Sequence, residues 1–132
     1  MHSKPLILVV DDTADNILTI KMTLKDEGYD FIEATNGIDA IKQATKYNPD
    51  VILMDAVMPN MNGFEATRKL REIEKNKRTP ILMISSLTLQ TDKITAIKSG
   101  VNDFIIKPFD TIELKSRCKS YINMANLNKK YI

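Results

Sequence analysis

Five short β-rich runs alternate with five helical patterns along this chain, and few architectures accept that order. Leu6–Val10 reads LILVV, Val51–Met54 reads VILM and Ile81–Ile84 reads ILMI. Such continuous apolar runs mark strands covered on both faces, because a strand with one wet face alternates apolar and polar residues. Asp30–Ala34 (DFIEA) does alternate, which suggests an edge position, and Asp103–Ile106 (DFII) completes the set. Between the runs, apolar residues recur at helical spacing. Ile17, Ile20 and Leu24 mark a first helix that ends at Gly28. Ile38, Ile41 and Ala44 mark a second, closed by YNPD, and Phe64, Leu70 and Ile73 a third. Ile94 and Ile97 mark a fourth with Gly100 as its C-cap, and the longest pattern runs from Ile112 to Leu127. Strand–helix alternation of this kind predicts an α/β fold: a parallel sheet with helices on both faces and right-handed crossovers.

With 132 residues the chain is long enough for one domain with a real core and no disulfide or metal staples. No internal repeat or low-complexity tract interrupts it, and the short loops leave no room for a second domain. Apolar residues make up 43% and charged residues 27%, an ordinary balance for a globular domain. A single cysteine, Cys118, excludes an internal disulfide and sits at an apolar helical position, so it reads as a small core residue. No apolar run approaches the length of a membrane span, and the start MHSKPLILVV does not resemble a signal peptide. A cytoplasmic protein is expected. The net charge of +2 gives no case for direct nucleic-acid binding. Its distribution is uneven: residues 1–60 carry 5 Lys/Arg against 10 Asp/Glu, and residues 61–132 carry 14 against 7.

Ligands of open α/β sheets bind beyond the carboxyl ends of the strands. At that edge the first run ends in Asp11-Asp12, the third in Asp55, the fourth in Ser85 and the fifth in Lys107. Singly, each has an ordinary reading as a turn residue, a helix cap or a surface charge. Together they imply compensation, since two carboxylates about 4 Å apart repel by roughly 4 kcal/mol at an effective dielectric near 20. A hard divalent cation supplies it, and an open site with few protein ligands suits Mg²⁺ (or Mn²⁺), which retains waters and binds alongside phosphate. A cation beside a carboxylate, an ammonium and a hydroxyl is a place to receive a phosphoryl group. That transfer needs an in-line nucleophile and neutralised equatorial oxygens. Asp55 can be the nucleophile.

Taken as a set, LILVVDD, VILMDAVMPNMNGFE, TPILMISS and DFIIKPF resemble the receiver domain of two-component response regulators, over nearly the whole chain. The spacings, 30 residues from Asp55 to Ser85 and 22 from Ser85 to Lys107, suit that family. The resemblance implies a flavodoxin-like (βα)5 doubly wound sheet with strand order 2-1-3-4-5. It implies that a sensor histidine kinase phosphorylates Asp55. Asp12 and Asp55 would bind Mg²⁺ through carboxylates and Val57 through its backbone carbonyl, while Asp11 acts through metal-bound water. Lys107, Ser85 and the Ala56 N–H would hold the phosphoryl oxygens, Lys107–Pro108 would be cis, and Ser85 and Phe104 would form the switch. The output surface would be the fourth helix, fifth strand and fifth helix, which could also support a homodimer.

Three departures from the family pattern have consequences. The switch position holds serine where threonine is more usual, and Ser86 adjoins it, although spacing favours Ser85. Serine lacks the β-methyl that restricts χ1. Phe104 has no hydroxyl to anchor an outward rotamer, so an inward pose is expected. Val57 and Leu87 stand where many relatives place polar groups.

The receiver is expected to span residues 1–125. Residues 126–132 would begin a helical linker to an output domain such as a diguanylate cyclase or phosphodiesterase; the alternative is a stand-alone regulator. Two further readings remain. A Mg²⁺-dependent aspartyl phosphohydrolase would carry a second acid two residues after its nucleophile, but Thr13 and Val57 occupy those places. A pseudo-receiver that binds without phosphorylation would not need the full set Asp11, Asp12, Asp55, Ser85 and Lys107.

Overall fold

The structure, a computed structural model, describes residues 3–130. Strands β1 (Leu6–Val10), β2 (Asp30–Ala34), β3 (Val51–Asp55), β4 (Ile81–Ser85) and β5 (Asp103–Ile106) form one sheet in the order β2-β1-β3-β4-β5. Every pairing is parallel. This is the flavodoxin-like order that the resemblance implies. β3 and β4 each run one residue further than the apolar pattern alone suggests, so Asp55 and Ser85 are the last residues of their strands.

Period two along the strands divides the core into two layers. Leu8, Val10, Ile52, Met54, Ile81 and Met83 face one side, and helices α2 (Gly37–Tyr47), α3 (Gly63–Glu72) and α4 (Gln90–Ser99) cover them. Ile7, Val9, Val51, Leu53, Leu82 and Ile84 face the other, under α1 (Ala14–Leu24) and α5 (Thr111–Lys130). The three central strands, β1, β3 and β4, are buried along their whole length, while β2 is partly exposed as an edge strand should be. Cys118 is fully buried on α5. Burial pushes its thiol pKa up to about 12, so it is an inert core side chain.

The helices pack differently from the simplest reading of their apolar residues. Ile38 on α2 and Ile94 and Ile97 on α4 are exposed, at 53%, 43% and 70%. α2 instead buries Gly37, Ala40 and Ala44, and α4 buries Ala96 and Ser99. Small residues let a helix backbone lie close to the sheet, and the larger side chains one position away are then turned outward. Ile112 is likewise exposed, and α5 buries Leu114, Cys118, Ile122 and Ala125. Ile97→Ser should therefore change the urea midpoint by no more than about 0.5 kcal/mol equivalent. Ala96→Leu, which overfills the contact, should cost about 1–3 kcal/mol. The opposite ranking would show that α4 sits in another rotation.

Candidate functional site

The parallel sheet delivers the carboxyl ends of β1, β3, β4 and β5 to one edge. Asp11 follows β1 and is buried at 1% exposure; its backbone N–H donates to Ala34 O at 3.1 Å, continuing the ladder with β2. Asp12, next in the chain, is exposed. Asp55 closes β3 and is 8% exposed. Carboxylate oxygens of Asp11, Asp12 and Asp55 all lie within 4.8 Å of one another. The Lys107 Nζ donates to Asp11 Oδ2 at 3.0 Å and stands 3.7 Å from Asp55 Oδ1. One lysine is thus shared between two buried acids.

The electrostatics are unbalanced toward negative charge. Burial raises the Asp55 pKa to about 6. Lys107 and the Val57 N–H, 3.4 Å from Asp55 Oδ1, pull it down, while Asp11 and Asp12 push it up. Desolvation and like charges therefore outweigh the one ammonium. A donor set of three carboxylates at this separation fits a hard divalent cation, whose charge would remove that imbalance. The three acids do not offer themselves equally. Asp11 Oδ1 accepts from the Thr13 N–H at 3.0 Å and from Asn16 Nδ2 at 3.2 Å, and its Oδ2 is taken by Lys107. Asp12 and Asp55 retain more open lone pairs.

The remaining predicted residues surround this cluster. Ser85 is fully buried at the end of β4, beside Ile106 of β5; its Oγ accepts from the Leu87 N–H at 3.1 Å and its carbonyl from the Lys107 N–H at 2.8 Å. Ser86 is exposed and lines a groove with Lys107, Pro108 and residues of α1, so the two serines face different surroundings. Ala56 is buried and Val57 is 55% exposed. The Lys107–Pro108 peptide is cis. Phe104, on β5, is half-buried against the α2–α4 side of the core together with Leu87 and Val101.

Two contributors are not apparent from the acid and lysine pattern. Asn16 orients Asp11 from α1; an Asn five residues after an acid carries no recognisable signal by itself. Gly63 supports Asp55 from below. Its N–H donates to Ala56 O at 2.9 Å, and a Cβ there would run into the Asp55 carbonyl oxygen. The NG pair was its available signal: Asn62 caps α3 by accepting the Glu65 N–H at 2.9 Å, and the glycine follows at once.

Comparison with known proteins agrees with this geometry. The family model described as the response regulator receiver domain matches residues 7–119. The chain belongs to the response regulator receiver domain family, a class of signalling domains distinct from ordinary enzymes. It is 37% identical over 114 residues to the response regulator PleD of Caulobacter vibrioides, covering 86% of this chain and 25% of PleD. It is 36% identical to PilH of Pseudomonas aeruginosa, covering 79% of this chain and 86% of PilH. It thus spans most of one such relative and only a quarter of another. Among solved structures, the receiver domain of sensor histidine kinase PA1611 from Pseudomonas aeruginosa superposes with a TM-score of 0.85 at 33% identity, covering 92% of this chain and 99% of that one. That structure holds a magnesium ion coordinated in its active-site cleft. The chemotaxis protein CheY4 of Vibrio cholerae superposes with a TM-score of 0.84 at 32% identity, covering 90% of this chain and 99% of that one. No helix among the described residues is long and apolar enough to cross a membrane.

Proposed function

We propose that this receiver accepts a phosphoryl group on Asp55 from a sensor histidine kinase, with Mg²⁺ or Mn²⁺ as cofactor. The observation that carries the reading is the shared position of Lys107 between buried Asp11 and Asp55, with Asp12 completing an oxygen-donor cluster. An Asp55 oxygen attacks phosphorus in line, the P–N bond of the donor phosphohistidine breaks, and the leaving imidazole is protonated by solvent. Val57, two residues after the acceptor, is exposed. Lys107 and the Ala56 N–H hold phosphoryl oxygens as charge spreads over them. Asp12, Asp55 and the Val57 carbonyl would hold the cation, and Asp11, already occupied by Lys107, Thr13 and Asn16, would reach it through water. When bound, the cation neutralises acceptor and incoming phosphoryl charge.

Phosphorylation replaces one carboxylate by a group of about −1.5 to −2 charge. Ser85 Oγ would turn to the new oxygens and release the Leu87 N–H, and Phe104 would follow, biasing the α4-β5-α5 surface. That surface is also the proposed site of homodimerisation. α5 continues unbroken to Lys130, past residue 125. Its length supports the assignment of residues 126–132 as the start of a linker to an output domain such as a diguanylate cyclase or phosphodiesterase.

Incubation with acetyl phosphate and Mg²⁺, followed by intact mass, tests the core of this reading. One stable adduct on Asp55 is expected. Catalytic turnover without an adduct would indicate a phosphohydrolase, and an unchanged mass a pseudo-receiver. The lifetime of the adduct is a second test. The Val57 and Leu87 side chains have no group to position an attacking water, so the phosphoryl group should persist. Val57→Asn with Leu87→Glu should shorten its half-life by about tenfold or more, within the range for positioned acid–base groups; an unchanged half-life would refute the idea.

A further inference from the structure

Arg71, near the end of α3, is engaged by oxygens of two other segments, residues 76–79 before β4 and residues 100–102 between α4 and β5. Its Nε donates to Gly100 O at 2.9 Å, where α4 ends. Its Nη1 donates to Asn76 O at 2.8 Å and Thr79 O at 2.7 Å, on the approach to β4. Its Nη2 donates to Asn102 Oδ1 at 2.8 Å, on the approach to β5. The same Asn102 oxygen accepts the Ile81 N–H at 2.8 Å, and the Asn102 N–H donates to Ile81 O at 2.8 Å. Burial lowers the Arg71 pKa, in keeping with a guanidinium held among neutral dipoles. Gly100 takes a left-handed φ of 108°, and the place of its missing Cβ is filled by Arg71 Cγ at 2.8 Å. The fit is specific to a glycine at the end of α4.

The other end of α4 is held quite differently. Its two buried residues, Ala96 and Ser99, both lie in its C-terminal half, and Ser99 Oγ bonds back to Ala96 O at 2.6 Å. At its N-terminal end, Leu89 is 67% exposed and its N–H is accepted by Asp92 Oδ2 within the same turn, at 3.2 Å. The connection back to the site is the bond from the Leu87 N–H to Ser85 Oγ.

We propose that Arg71 is the fixed pivot of α4: it pins the C-terminal end of the helix to α3 and to the starts of β4 and β5, so that motion triggered at Ser85 is confined to the N-terminal half of α4 and the loop before it. The trigger rests on the phosphorylation reading above; the anchoring does not.

Amide exchange and ¹⁵N–¹H spectra of the full chain, with and without acetyl phosphate and Mg²⁺, test both parts. In the unmodified protein, amides 96–102 should exchange slowly and keep their shifts on phosphorylation, while those of residues 86–93 move. Arg71→Met retains much of the apolar stem and removes every donor. It should still form the Asp55 adduct by intact mass. Exchange at 96–102 should speed up about tenfold, the loss expected for roughly one net hydrogen bond, and phosphorylation shifts should spread into that segment. Unchanged exchange at 96–102 in Arg71→Met, or equal phosphorylation shifts at both ends of α4 in the unmodified chain, would overturn the proposal. Should far-UV circular dichroism show Arg71→Met unfolded, Arg71→Lys, which cannot reproduce the fork, carries the same test. If no adduct forms in the unmodified protein, the phosphorylation reading fails, and the exchange comparison in the resting chain still decides the pivot.

Discussion

Asp55→Asn should abolish phosphoryl uptake and at the same time stabilise the metal-free protein above pH 7. The first effect follows because an amide is no nucleophile for this transfer, and it also takes one carboxylate from the oxygen-donor cluster. The second follows from the sign of the pKa shift. Burial and the neighbouring acids raise Asp55 from 3.8 to about 6. Between those values the folded state retains a proton that the unfolded chain has lost, so the carboxylate's contribution to stability falls as pH rises through that window. Above it the folded protein holds a desolvated charge, at an upper limit of about 3 kcal/mol. The asparagine removes that charge but leaves Lys107 paired with Asp11 alone, so a gain of about 1–3 kcal/mol is expected at pH 7.5. The gain should shrink as pH falls through this window and vanish only below the unfolded pKa of 3.8, where Asp55 is protonated in both states. Urea unfolding at several pH values, in chelator and in Mg²⁺, measures it. Saturating Mg²⁺ should stabilise the unmodified protein by mass action and narrow the difference. Parallel pH profiles for the two proteins would show that Asp55 is not the strained acid described here.

Gly63→Ala should be strongly destabilising. The added Cβ would overlap the Asp55 carbonyl oxygen and lie 3.0 Å from Ala56 Cα. Both obstacles are backbone, so no side-chain rotation can relieve them. The Gly63 N–H bond to Ala56 O at 2.9 Å holds the same two segments together. Either α3 withdraws from the end of β3 or the strand end shifts, and the Asp55 carboxylate shifts with it. A loss of about 3 kcal/mol is expected, the upper part of the overpacking range, together with slower adduct formation in the fraction that folds. Urea midpoints and initial rates with acetyl phosphate provide the two readouts. By contrast Asn62→Ala, one residue earlier, removes only the α3 cap and should cost about 1 kcal/mol with little change in rate. A Gly63→Ala protein as stable and as reactive as the unmodified one would mean that β3 and α3 do not meet this closely.

Strand identity and the acid–lysine set were legible along the chain, because each depends on local order. LILVV, VILM and ILMI read as strands buried on both faces, and a strand's carboxyl end is where the next residue must stand at the sheet edge. Gathering Asp11, Asp12, Asp55 and Lys107 then follows from parallel pairing. Burial within the helices was not legible in this way. Ile97 and Ala96 are neighbours, and which of them meets the sheet depends on how α4 rotates against α3 and β5. The same holds for Gly63 beneath Asp55 and for Arg71 at Gly100, 29 residues apart in sequence. Periodicity reports what a segment can bury; the distance between packed backbones, set by many segments at once, selects which side chains fit between them.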